Sequence, residues 1–196
     1  PDMSLAQRAK YSKIALDKAQ RLEELINEFF DITRFSLQNI ELEMHEVDLS
    51  MLLRQVADEF YPIFEEKELR PILEIQDGLR VYGDPDKLER VFDNLLRNAC
   101  HYSTPGSVVR ISGGEEGDSI VLRFLNSGRT IPPEKLARIF DQFFRLDSSR
   151  ATRTGGAGLG LAIAKEIVEL HGGTITARSA DQEVVFTVSL PCSGMP

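Results

Sequence analysis

Two asparagines four residues apart, Asn94 and Asn98, stand in the run Asn94-Leu95-Leu96-Arg97-Asn98. On a helix that spacing puts both on one face. Their neutral amide oxygens suit a magnesium ion already held by phosphates, although either side chain could equally cap or bond the backbone. Further on, Gly155-Gly156-Ala157-Gly158-Leu159-Gly160-Leu161-Ala162 runs into a predicted helix. Glycines let backbone wrap phosphate oxygens, and a helix N-terminus adds N–H donors and the positive end of a dipole. No Gly-Lys pair occurs anywhere, so this is not a Walker-type loop, and the spacing is not a dinucleotide fingerprint. A flexible hinge with close helix packing is the alternative. Between these segments lies Asn126-Ser127-Gly128, where an acceptor could read the amino group of adenine and a glycine could admit a base to the backbone. By itself it is a turn. The fourth segment, Ile139-Phe140-Asp141-Gln142-Phe143-Phe144-Arg145, is aromatic enough for core or for a docking face. Arg145 at its end is a candidate phosphate contact or a solvated arginine.

These segments need elements to hold them. Residues 1–42 read as one helix, with Tyr11, Ala15, Lys18, Leu22, Leu25, Phe29 and Ile32 at alternating three- and four-residue spacings. Lys18 interrupts that coiled-coil-like seam. So large an apolar stripe demands a partner helix, another subunit or the rest of the chain. From residue 43 to residue 196 the pattern is that of a second domain. Residues 44–49 alternate like a strand, and Ser50 is the expected N-cap of a helix to about Lys67. Strands are expected at 69–75 and 81–82, then a helix opened by Asp84 as N-cap and Pro85 as its first residue. Leu88, Val91, Phe92, Leu95, Leu96 and Ala99 supply that helix's buried face. Two antiparallel strands, 108–112 and 120–125, are joined by the turn-forming run Gly113–Asp118. A short helix runs from Pro132-Pro133 to about Phe140, and a long polar loop occupies 141–157. A helix from Leu159 to about His171 ends at Gly172-Gly173. Strands at 174–178 and 184–190 complete an α+β fold, a mixed sheet backed by helices on one face and preceded by the long helix.

Composition narrows the function classes. With 23 basic and 31 acidic residues the formal charge is −8, which argues against nucleic acid and against adsorption to anionic lipid. Cys100 and Cys192 lie far apart without CxxC or CxxH partners, so they read as reduced thiols rather than a disulfide or zinc site. No stretch approaches the ~18 apolar residues a membrane helix needs. The chain begins at Pro1 with no signal peptide and reads as an excised fragment.

In order and spacing, Asn94-x-x-x-Asn98, Asn126-x-Gly128, Phe140–Phe144 and Gly156-x-Gly158-x-Gly160 resemble the N, G1, F and G2 boxes of sensor histidine kinases. The resemblance spans about residues 45–191. It implies the Bergerat ATP-binding fold shared with gyrase and chaperone ATPases, with ATP and Mg2+ bound. Asp84–Leu88, Phe144–Asp147 and Gly155–Leu161 look most like vancomycin-resistance sensors of that family. By the same resemblance Asn98 is the metal ligand, with Asn94 beside it near the triphosphate. Arg145 is a catalytic phosphate contact, Tyr102 flanks the adenine, and His101 stands where many relatives place a phosphate-contacting lysine. Gly128, Gly156, Gly158, Leu159 and Gly160 belong to the nucleotide site, and 141–157 to a mobile lid. The leading helix resembles the second helix of a dimerisation hairpin whose first helix carries the acceptor histidine. The implied partners are that helix, in a homodimeric parent protein, and a response regulator. The implied place is the cytoplasmic part of a bacterial plasma-membrane sensor.

Two departures from the family pattern matter. The usual G1 aspartate is Asn126, and Arg129-Thr130 replaces the next glycine. An amide lacks the charge that strengthens such a hydrogen bond, and it can turn its NH2 outward toward a guanine carbonyl. Weaker ATP binding and looser discrimination against GTP are therefore expected. Nor does His45, His101 or His171 stand in the acceptor's sequence setting, so the fragment is expected to bind nucleotide without autophosphorylating. The alternatives are an ATPase of the same fold that activates water through a carboxylate such as Asp93, and a nucleotide-sensing interaction module with weakened catalysis.

Overall fold

A computed structural model describes residues 4, 7–16, 18–19, 22, 42–146 and 158–192. By contacts the chain divides into two units, Pro1–Glu41 with Arg150–Ala157, and Leu42–Ser149 with Gly158–Pro196. In the first, the described residues from 7 onward are helical. Ser4 and Gln7 cap this helix reciprocally: the Gln7 N–H donates to Ser4 Oγ at 3.3 Å, and the Ser4 N–H donates to Gln7 Oε1 at 3.0 Å. Of the expected seam, Tyr11 and Leu22 are exposed within this unit, whereas Leu25, Phe29 and Ile32 lie outside the described residues.

The second unit is the mixed sheet backed by helices that the pattern predicts. Its elements are β1 (His45–Asp48), α1 (Leu49–Glu59), α2 (Tyr61–Glu66), β2 (Arg70–Ile75), β3 (Arg80–Gly83), α3 (Pro85–Tyr102), β4 (Val108–Glu116), β5 (Ser119–Ser127), α4 (Pro133–Leu136), α5 (Gly160–Leu170), β6 (Thr174–Ala180) and β7 (Glu183–Pro191). Five strands lie in the order β2-β4-β5-β7-β6, while β1 and β3 form a separate antiparallel pair. Only β2 against β4 is parallel in the larger sheet. Alternate residues of β5, Ile120, Leu122 and Phe124, point inward with Ile111, Phe186 and Val188 beside them. Against them pack Leu88, Val91, Phe92 and Leu95 of α3 and Ile163, Ala164 and Ile167 of α5. The Phe92 and Phe124 rings stack at 6.1 Å between helix and sheet. Each such buried side chain contributes about 1.5–3 kcal/mol. The opposite series mixes Val121, Leu125 and Val185 with Arg110, Ser112, Arg123 and Thr187, with Arg110 paired to Glu74 and Arg123 to Glu116.

Three local expectations are corrected. Asp48, not Ser50, caps α1, its Oδ1 accepting the Met51 N–H at 2.9 Å. Ser50 is buried and stitches the β2–β3 turn, donating to the Gln76 carbonyl and accepting the Leu79 N–H. The single helix expected to Lys67 breaks at Phe60, because Pro62 has no N–H to offer the Asp58 carbonyl one turn back. Gly113 and Gly114 are strand rather than turn. A Cβ on Gly113 would lie 2.8 Å from Leu122 Cδ2, so glycine leaves room for that leucine, and the reversal falls at Gly117-Asp118. Asp84 does cap α3, accepting the Lys87 N–H, with Pro85 in the first turn.

Candidate functional site

The long helix α3 carries three of the expected residues along its course and one at its end. Asn94 and Asn98 are half-buried, one turn apart, while His101 and Tyr102 are exposed in the last turn. At about 1.5 Å per residue, Asn94 and Tyr102 stand about 12 Å apart along the axis. Each end meets a glycine from another element.

At the first end, α5 begins at Gly160 directly against Asn94. A Cβ on Gly160 would lie 2.7 Å from Asn94 Oδ1. Asn94 Nδ2 is buried with no hydrogen-bond partner. Leu159, the residue before the helix, makes no side-chain cap to the first-turn N–H groups of α5. Gly158 has φ +81, and a Cβ there would lie 2.8 Å from the Phe144 carbonyl oxygen and 3.2 Å from Arg145 Cγ. The aromatic segment therefore leans on Gly158 and brings Arg145 beside the helix start. Phe144 lies under Arg138, and Phe143, at φ +62, is 59% exposed, so only part of this segment is core. Phe140 is the part that packs inward, edge-on to Phe186. Gly156 and residues 147–157 of the expected lid lie outside the described residues.

At the other end, Asn126 continues the inward series of β5 where period two calls for an apolar residue. It sits between Val109 and Val184, both buried, and is 1% exposed. Neither Oδ1 nor Nδ2 has a partner. Two unpaired polar atoms at that depth cost about 1–3 kcal/mol each unless something else bonds them. The neighbouring backbone is pulled tight against α3. Ser103 and Gly128 form a β-bridge, the Thr104 N–H donates to the Ser127 carbonyl at 2.9 Å, and a Cβ on Gly128 would lie 2.4 Å from the Tyr102 carbonyl oxygen. The Tyr102 ring stands edge-on to His101 at 4.7 Å. Partial burial, then the charges of Lys67 and Arg145, hold His101 below the ordinary imidazole range, so it is neutral at pH 7. Asp93, the carboxylate a water-activating ATPase would use, instead pairs with Arg97 at 2.8 Å. Among the described residues no cluster of three or more His, Cys, Asp or Glu could hold a metal on its own. The available oxygen donors at the first end are the Asn94 and Asn98 amides, a neutral set that fits a cation carried in by phosphates.

Sequence reasoning missed one contributor, the β6–β7 turn. Asp181 and Gln182 adopt φ +50 and +63, and Gln182 accepts the Gly128 N–H at 2.7 Å while its own N–H donates to Thr130 Oγ1. Two non-glycine residues in that conformation gave no turn signal of the usual Asn-Gly kind.

A family profile described as histidine kinase-, DNA gyrase B- and HSP90-like ATPase matches residues 83–194. The chain belongs to that family. Within it the similarity is to sensor kinases: it is 51% identical to sensor protein VanS of Enterococcus faecium over 97% of this chain and 50% of that protein. It is equally 51% identical to VanSC of Enterococcus gallinarum, over 97% and 53%. The chain thus spans about half the length of these relatives. The nucleotide-free catalytic domain of histidine kinase ThkA superposes with TM-score 0.69 at 29% identity, covering 76% of this chain and 96% of that one. Full-length ShkA in complex with AMPPNP superposes with TM-score 0.84 at 25% identity, covering 100% and 41%. The fold is the ATP-binding catalytic domain of a VanS-like sensor histidine kinase, with an α+β sheet-and-helix sandwich as its body. Among the described residues no helix is long and apolar enough to cross a membrane.

Proposed function

We propose that this chain is the phosphoryl-donor half of a two-component sensor kinase in vancomycin-resistance signalling. Asn126 carries the reading: a polar side chain in a core position, with both its polar atoms unpaired, asks for a polar ligand edge. An adenine edge offers an amine donor to Oδ1 and a ring nitrogen to Nδ2, with Gly128 letting the base lie close and Tyr102 flanking it. The triphosphate then lies toward Asn94, Gly158, Leu159 and Gly160, on the open N-terminus of α5, with Gly156 and the 141–157 lid over it. Asn98 holds Mg2+, which supplies charge neutralisation on the phosphate oxygens. Arg145 and the α5 N–H groups spread the remaining negative charge, while the Asn94 and Tyr102 positions of α3 fix the nucleotide's orientation. In transfer, an imidazole nitrogen of an acceptor histidine bonds to the γ-phosphorus as its bond to the β,γ-bridging oxygen breaks, and ADP leaves.

The acceptor belongs to a helix outside this sequence, in a homodimeric, membrane-borne parent whose cytoplasmic part includes this chain. His171 is buried and bonded through both nitrogens, which argues against it as acceptor, and neither His45 nor His101 stands in the acceptor's sequence setting. ThkA has been solved with the response regulator TrrA, and a response regulator is the proposed final recipient here too. Titration with ATP, ADP and GTP, with and without magnesium, tests the site. Absence of ATP binding in the presence of magnesium would refute it. Label from γ-labelled ATP should not enter this chain alone, and should enter an added hairpin fragment that carries the acceptor histidine.

A further inference from the structure

His171 follows α5 at the end remote from Gly160, and it is 7% exposed. Its Nε2 accepts the Asp84 backbone N–H at 3.0 Å, and its Nδ1 lies 2.7 Å from the Ile167 carbonyl oxygen. A backbone N–H can only donate and a carbonyl can only accept. Nε2 is therefore bare and Nδ1 carries the proton, which fixes a neutral ring in one tautomer. The Gly83 backbone packs against the imidazole so closely that a Cβ there would lie 2.9 Å from His171 Cδ2. Asp84 is fully engaged in turn. Its Oδ1 accepts the Lys87 N–H in the first turn of α3, and its Oδ2 accepts the Glu43 N–H at 3.1 Å where the chain enters the sandwich.

The two helices joined here are also the two that meet at Asn94 and Gly160. From Asp84 to Asn94 is ten residues of α3, about 15 Å, and from His171 back to Gly160 is eleven residues of α5, about 16 Å. The helices therefore run antiparallel and touch at both ends of nearly equal lengths. A helix transmits axial displacement along its length, so a one-residue slip at His171 would move Gly160 by about 1.5 Å past Asn94. The contact at Gly160 is close, a Cβ there falling 2.7 Å from Asn94 Oδ1, but that side chain can rotate, so this contact does not itself fix the register and the His171 end must.

We propose that His171 is a positioning residue, whose hydrogen bond to the Asp84 N–H sets the register of α5 on α3 and thereby holds the Gly160 end against Asn94. Its functional readout rests on the nucleotide reading above. Its structural readout does not.

The experiment compares the chain with His171→Gln, whose Oε1 can stand in for Nε2 as acceptor, and His171→Phe, which keeps a ring and loses the acceptor. His171→Phe is expected to speed amide exchange at residues 160–163 at least tenfold, with exchange on β4 and β5 unchanged, and to weaken Mg-ATP binding about fivefold or more. His171→Gln should stay within about twofold on both. Unchanged exchange at Gly160 in His171→Phe would overturn the proposal, as would an equal loss in His171→Gln. Should His171→Phe fail to fold, nitrogen NMR of the unaltered chain decides: a proton on Nδ1 supports the joint, and a proton on Nε2 sinks it. Failure of the unaltered chain to bind Mg-ATP would instead strike the nucleotide reading, leaving the joint to be judged on exchange.

Discussion

The two contact points on α3, at Asn94 midway along it and at Tyr102 at its end, are built on opposite terms. At the Tyr102 end a glycine faces backbone: a Cβ on Gly128 would lie 2.4 Å from a main-chain carbonyl that bridges cannot release. At the Asn94 end a glycine faces the tip of a side chain, which can rotate away. The first contact is rigid and the second is yielding. On the proposed nucleotide reading, rigidity would sit where a base must be told from another base, and give where charge has to be gathered.

The sharpest way to break this contrast is Gly128→Ala. The methyl group must push β5 away from the end of α3, so a loss of about 3 kcal/mol in urea-unfolding stability is expected, together with loss of nucleotide binding. A loss under about 1 kcal/mol would mean that the Tyr102 end yields after all. Gly160→Ala is the matched test at the other end. Asn94 can turn aside and alanine is the better helix former, so stability should stay within about 0.5 kcal/mol. Affinity for Mg-ATP should still fall, about fivefold by calorimetry.

Asn126→Leu separates ligand from fold by sign. Removing two unpaired buried polar atoms in a side chain of similar size should stabilise the free domain by about 1–2 kcal/mol, read from the urea midpoint. The same change should weaken ATP binding about tenfold. If stability falls instead, Asn126 is bonded within the protein and its role as a base reader is lost. Asn126→Asp adds the missing charge, and should raise the ratio of ATP to GTP affinity about tenfold.

How much of this was legible beforehand follows from particular residues. Helix α3 was readable because capping, Asp84-Pro85 and the spacing of Leu88, Val91, Phe92, Leu95 and Leu96 all agree. The mixed sheet and the order of the four segments were readable too. Strand ends were not: Gly113 and Gly114 carry turn composition, and only the Leu122 side chain across the sheet explains why they stay extended. Ser50 looked like a cap because serine usually caps. Its hydroxyl instead serves a turn 26 residues away, which no local pattern encodes. At the site, the spacing of Asn94 and Asn98 was visible, whereas the depth of Asn126 and its lack of partners required the sheet register. Neither the Asp181-Gln182 turn nor the His171–Asp84 joint could be found from sequence, because each ties a side chain to a backbone N–H far away in the chain, and every residue but proline offers such an N–H.

The smallest expected effect concerns the joint behind the yielding end. Burial alone would raise the Asp84 carboxyl, but N–H donors from Lys87 and Glu43, with the Lys87 charge, outweigh it and hold the group below 3.8. A carboxyl depressed in the folded state stabilises fully above its unfolded value, and that contribution disappears as pH falls through the folded value. Asp84→Asn retains a good N-cap, so at pH 7 it should cost less than about 0.5 kcal/mol. Below about pH 4 the wild-type chain loses stability that the variant never had, and the two acid-unfolding curves should converge. Curves that stay parallel from pH 7 to pH 3 would show that the Asp84 charge adds nothing to the cap. The joint would then rest on the His171 bond alone, and α5 would be pinned at its far end by a single neutral contact.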